Sequence, residues 1–147
     1  MTRNAWISIR ATQNAGVGEP VTMELATEGE YDYEPGLVRL SYVETAVTGF
    51  EGVVTSFTVE DERSVTVTRE GTVSSAMLFV RGERHEALYD VGLGAMIVTV
   101  STRSLAVLLN ERGGVIDLEY EVEIEHEFIG VNRYRIQIRT NEKGEPS

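Results

Sequence analysis

The chain has 147 residues, no cysteine and a formal net charge of −11, with 41% of its residues hydrophobic. Without cysteine there is no disulfide framework, no thiolate metal site and no cysteine nucleophile, and nothing points to an oxidising compartment. The acidic balance repels phosphate backbones and anionic lipid, so nucleic-acid and membrane-surface binding are not expected, and no run approaches the ~20 apolar residues of a spanning helix.

The opening stretch MTRNAWISIRATQ carries no apolar run of signal-peptide length, and with the cysteine count this makes a cytoplasmic location the expectation. No linker, repeat or composition shift divides the sequence, so residues 1–142 are expected to form one domain, with 143–147 as a disordered tail.

Along the chain the dominant pattern is period-two alternation broken by turn residues, the mark of β-strands. Ala5, Ile7, Ile9 and Ala11 alternate with polar partners, and Val21, Met23 and Leu25 open a second run that reaches Tyr31 and Tyr33. Glu34-Pro35-Gly36 turns the chain, because proline presets one turn dihedral and glycine accepts the positive one. Val38, Leu40 and Tyr42 form the third run, and Val53, Phe57 and Val59 the fourth. Val65 and Val67 precede a turn at Arg69-Glu70-Gly71-Thr72, after which Val73, Ser75, Met77 and Phe79 share a parity. If that parity is inward on both arms, the connection is a three-residue loop or a bulged two-residue turn, since a plain two-residue turn pairs odd with even positions. Ala87, Tyr89 and Val91 make a short strand, Gly92-Leu93-Gly94 turns it, and Met96, Val98 and Val100 continue into Thr102. Residues 102–112 read two ways. Leu105, Leu108 and Leu109 have helical spacing, yet the segment leaves the preceding strand without a breaker, which favours a bent strand over a helix of one or two turns.

The stretch from Ile116 to Arg139 shows the alternation most clearly. Ile116, Leu118, Tyr120, Val122 and Ile124 fall on one face; Asp117, Glu119, Glu121, Glu123, Glu125 and Glu127 fall on the other. Neighbours on a strand face lie ~6.5–7 Å apart, so such a row of acids cannot converge on a cation and needs basic partners instead. A turn centred on Gly130 sets Glu127 opposite Arg133 and Glu125 opposite Arg135, while Tyr134, Ile136 and Ile138 face inward.

About ten short-looped strands without crossover helices imply an all-β antiparallel meander of some 8–10 strands, and closure into a barrel removes its edges. A two-sheet sandwich is the other solution. In order, Gly29-Glu30-Tyr31-Asp32-Tyr33, Leu40-Ser41-Tyr42-Val43-Glu44, Val67 to Val73 with Phe79, Tyr89 before Gly94, Thr102, and Gly114-Val115-Ile116 leading to Tyr120 resemble the pattern of the DUF1934, or YwiB-like, family of uncharacterised bacterial proteins. That resemblance implies a lipocalin-like (calycin) barrel and brings no catalytic residue with it. Asn4-Ala5-Trp6 lacks the glycine two residues before the tryptophan that secreted lipocalins carry, so lipid transport does not follow from the fold.

The phosphate loop, the nucleophile elbow and the HExxH motif are absent, and two histidines, His85 and His126, cannot build a histidine-rich metal site. No cofactor and no metal are expected. His126 sits among acids beside a turn, and Arg81-Gly82-Glu83-Arg84-His85-Glu86 reads as a charged, solvated loop. Arg69 and Arg81 share the parity of their strands' apolar residues, and Glu44 continues the inward parity of Leu40 and Tyr42. Buried charges need partners, so these residues form either a salt-bridged plug or an anchor for an anionic ligand at the barrel mouth. Tyr31, Tyr33, Tyr42, Tyr89 and Tyr120 are also inward or mouth-facing, as core packing or as cavity walls. Three functions follow in order: a small-molecule-binding barrel; an interaction module or homodimer with a self-filled barrel; and an enzyme resting on Glu44 with an arginine. Free volume in the lumen separates the first two.

Overall fold

The computed structural model describes residues 2–14, 19–45, 51–90 and 94–140, and among them there are ten strands and no helix. The strands are β1 (Thr2–Asn14), β2 (Val21–Glu34), β3 (Leu37–Val43), β4 (Val54–Glu60), β5 (Ser64–Glu70), β6 (Ser75–Val80), β7 (Arg84–Asp90), β8 (Ala95–Asn110), β9 (Gly113–Ile124) and β10 (Glu127–Thr140). They form one antiparallel sheet in the order β6-β5-β4-β3-β2-β1-β10-β9-β8-β7, rolled into a nearly closed barrel. Consecutive strands pair throughout except at β6 and β7, and β1 pairs with β10 over ten residues. Among the described residues the seam between β6 and β7 is bridged once, where Ser74 and Asp90 exchange backbone hydrogen bonds of 2.8 and 2.9 Å.

Alternation decides what is inside. Ala5, Ile7, Ile9, Val38, Leu40, Phe57, Val65, Val67, Ile116, Leu118, Ile136 and Ile138 are all buried in one continuous core. Ile7, Leu118, Val65 and Ile136 have no exposed surface at all. Each such side chain removes about 1.5–3 kcal/mol of unfavourable hydration, which is the main force rolling the sheet.

Residues 102–110 continue β8 as strand, and the expected bend is a bulge where the register shifts between Thr102 and Ser104. The helical spacing of the leucines is therefore incidental: Leu109 is buried and Leu108 is 77% exposed, as on opposite faces of a strand. Gly113 and Gly114, at φ of +118° and +141°, start β9, where a Cβ would lie 2.1 Å from the Ile138 carbonyl oxygen and 1.9 Å from that of Leu108. Glycine is required there by the close approach of two neighbouring strands.

Two turn expectations need correction. The β9–β10 hairpin turns at Glu125-His126, both left-handed at φ of 53° and 71°, and not at Gly130, which sits at a bulge between Phe128 and Gly130. Arg133 accordingly faces Glu119 and Arg135 faces Asp117. Acid still meets base: Asp117 is held by Arg133 at 3.2 Å and Arg135 at 2.8 Å, Glu121 by Arg103 at 2.9 Å, and Glu123 by Arg84 at 2.8 Å. The β5–β6 connection keeps odd positions paired with odd, Arg69 with Ser75, but through a loop over Gly71–Ser74 that is wider than expected. The expected strand residue Val91, the Gly92-Leu93 part of the following turn and the tail 143–147 lie outside the described residues.

Because the strands alternate in direction, the barrel has two dissimilar ends. The lower end is crossed by tight turns at Pro35-Gly36, Asp61–Arg63, Arg81-Gly82 and Glu111-Arg112. It is plugged by Tyr31, 1% exposed, whose hydroxyl donates to the Asn110 carbonyl at 2.7 Å. At the upper end Asn14, Val43, Glu70, Asp90 and Ile124 terminate the odd strands.

Candidate functional site

A cavity of about 240 Å³ occupies the upper part of the barrel. Its apolar walls come from the inward parity of β5, β6, β8 and β9: Val67, Met77, Phe79, Val98, Val100 and Ile124. Its polar groups are Arg69, Gln13, Asn132 and the phenols of Tyr89, Tyr120 and Tyr134. Phe79 packs on Tyr120 with ring centroids 4.7 Å apart, and Tyr120 lies 6.0 Å from Tyr134.

Arg69 is brought inside by the parity of Val65 and Val67, and its side chain is 15% exposed. Glu44, one residue past β3, stays on the inward parity of Leu40 and Tyr42 and is 3% exposed. Its backbone is fixed on both sides, Glu44 N–H donating to the Val53 carbonyl at 2.7 Å and Gly52 N–H to the Glu44 carbonyl at 3.1 Å. The Thr55 hydroxyl donates to Glu44 Oε2 at 2.5 Å, and Arg69 Nε lies 3.8 Å from that same oxygen. Glu44 is therefore behind Arg69, outside the cavity lining, and acts as its buried counter-ion. Burial works to lower the Arg69 pKa, and the oxygens of Tyr134, Tyr89 and Tyr42 outweigh it, so the guanidinium stays charged. Burial pushes the phenols of Tyr42, Tyr89 and Tyr120 up, helped by Glu44 at Tyr42 and by Tyr134 at Tyr120, so they remain protonated donors.

The eight residues expected at the site divide into three groups. Arg69, Tyr89 and Tyr120 line the cavity, with Glu44 and Tyr42 directly behind Arg69; Tyr42 stacks on Phe57 at 6.5 Å. Tyr31 is the plug of the opposite end, and Tyr33 borders a separate cleft of about 320 Å³ there. Arg81 is a correction: it stands exposed in the β6–β7 turn, because the strand ends at Val80 and parity no longer constrains the residue after it. Tyr134, inward by alternation, and Asn132 belong to the site although the aromatic and charge signals did not single them out. Neither histidine approaches Glu44. His85 lies on β7 and pairs with Glu83 at 2.9 Å, and His126 is exposed in its turn.

The fold and the cavity define a class: a meander β-barrel, plugged by Tyr31 at one end and hollow at the other, with the Arg69–Glu44 ion pair beside the hollow. The chain belongs to the DUF1934 family, whose model, described as a domain of unknown function, matches residues 7–136. It is 30% identical over 107 residues, 73% of each sequence, to the uncharacterised β-barrel protein YwiB of Bacillus subtilis (strain 168). The crystal structure of the YwiB protein from Bacillus subtilis superposes with a TM-score of 0.78 at 22% identity, over 95% of this chain and 92% of that one, which shows a shared fold.

Proposed function

We propose that this protein is a non-enzymatic binding barrel that holds a small, largely apolar molecule in its upper cavity. The observation that carries this reading is the lining of the upper cavity: about 240 Å³ walled by apolar and aromatic groups around one part-buried cation, whereas the lower end is plugged by Tyr31 and opens only as a cleft bordered by turn residues. That volume falls below the ~300–1,000 Å³ of drug-sized sites, so the ligand is small or protrudes from the mouth. A lipocalin-like role inside the cytoplasm fits this picture.

Binding of the neutral fluorescent probe N-phenylnaphthylamine tests it. The native chain is expected to bind the probe with a blue-shifted emission, and Met77→Trp, which fills the cavity from β6, is expected to weaken binding at least ten-fold. Equal binding by both proteins, or none by either, removes the reading.

A second reading, an interaction module working as a homodimer, has its own observation. Among the described residues β2 pairs with β3 only from Glu30 to Glu34, and in the part of β2 before that stretch Val21 and Met23 are 65% and 42% exposed. A chain that sediments as a dimer and ignores the probe would favour it.

A further inference from the structure

The expectation that Arg69 anchors an anion meets an obstacle in the structure, because Arg69 already has a counter-charge. Glu44 lies 3.8 Å from its Nε, is 3% exposed and is oriented by Thr55, so the pair is formally neutral. Adding an anion would place two negative charges around one guanidinium in a site walled largely by apolar groups, where like charges are costly. The field of the whole molecule, at −11, acts in the same direction. The remaining polar groups can all donate: the carboxamides of Gln13 and Asn132 and the hydroxyls of Tyr89, Tyr120 and Tyr134 each carry a donor as well as an acceptor. A guanidinium has no acceptor, and the Tyr120 hydroxyl accepts from Asn132 Nδ2 at 3.5 Å and is hydrogen-bonded to Tyr134.

Resting on the binding reading above, we infer that the ligand is an uncharged molecule with a carbonyl-type acceptor head, an amide, ketone or ester, set against Arg69 and the surrounding hydroxyls. Its short acyl or aromatic body then lies against Met77, Phe79 and Val98. Glu44 is on this account a specificity residue: it cancels the charge of Arg69 and turns an anion site into a neutral-acceptor site.

Competition against N-phenylnaphthylamine with octanamide and octanoate, matched in length and differing in charge, tests the inference on the full chain. Octanamide is expected to displace the probe at least ten-fold more tightly than octanoate at neutral pH. Glu44→Gln keeps the shape of the side chain and an acceptor for Thr55, and it is expected to improve octanoate at least ten-fold relative to octanamide. Octanoate binding the native chain as well as octanamide, or Glu44→Gln moving both equally, overturns the inference while the cavity reading stands. A bound probe that neither compound displaces overturns it as well. Failure of the probe itself to bind removes the cavity reading and this inference with it. The native order of affinities needs no variant, so the test survives a poorly folding Glu44→Gln.

Discussion

Glu44 carries one carboxylate oxygen, Oε1, that no hydrogen bond reaches among the described residues, and its other oxygen is shared between Thr55 and Arg69. Removing one member of a buried pair leaves the other charge uncompensated, which costs about 3–5 kcal/mol, whereas replacing both by apolar groups is often neutral. Glu44→Ala is therefore expected to lower unfolding stability by about 3 kcal/mol, and the double variant Glu44→Leu/Arg69→Met to recover most of it. Urea midpoints measured with an unchanged m-value check both. Parity alone placed Arg69 and Glu44 inside, since each continues a run of apolar residues within or directly beside a strand. It failed for Arg81, which follows the last residue of β6, because alternation has no force once the backbone leaves the sheet. It also gave the tyrosines an interior position without an end. Tyr31 and Tyr89 are both inward, and only the strand directions assign one to the plug and the other to the cavity.

At the level of elements, the run from Ile116 to Arg139 was legible in its faces and misread in its register. The inward set is buried as expected, yet the turn forms at Glu125-His126, two non-glycine residues in the left-handed region, an arrangement that costs roughly 1–2 kcal/mol per residue and leaves no compositional mark. Glu125 offsets that cost locally: its carboxylate accepts from the Ile97 N–H at 2.8 Å and its own N–H donates to the Ile97 carbonyl at 2.8 Å. The glycine at 130 serves a bulge instead, and bulges look like turns in a sequence because both need a residue with unusual backbone freedom. The β6–β7 seam makes a second, dynamic distinction among elements. Strands paired on both sides open only with large parts of the sheet, whereas one-sided strands open locally. Amides of Ser75–Val80 and Arg84–Asp90 are thus expected to exchange faster in hydrogen–deuterium exchange than those of β1, β9 and β10. Equal protection would mean that the seam zips shut in solution.

Across the whole molecule, the chain order and the strand order disagree in one respect. β1 and β10 are partners in the middle of the sheet, with Ala5 opposite Thr140, while the gap in the wall falls between two strands joined by the Arg81-Gly82 turn. Alternation predicted about ten strands and their inner faces but could not locate the gap, because pairing between β1 and β10 depends on contacts between residues 117 to 135 positions apart, from Asn14 with Val131 to Ala5 with Thr140. A circular permutant makes use of this arrangement. Joining Thr140 to Thr2 through about six residues, enough to reach ~20 Å, and opening the chain between Arg81 and Gly82 lets the polypeptide visit its strands in spatial order from one sheet edge to the other. The hydrogen bonds put at risk are Gly82 N–H to the Thr102 carbonyl and Glu83 N–H to the Val80 carbonyl, both 2.9 Å. At ~1 kcal/mol each they set the expected fall in Tm at roughly 4–8 °C. Scanning calorimetry on such a rewired chain should still show a single cooperative transition, with the break in the wall and the break in the backbone now at the same place.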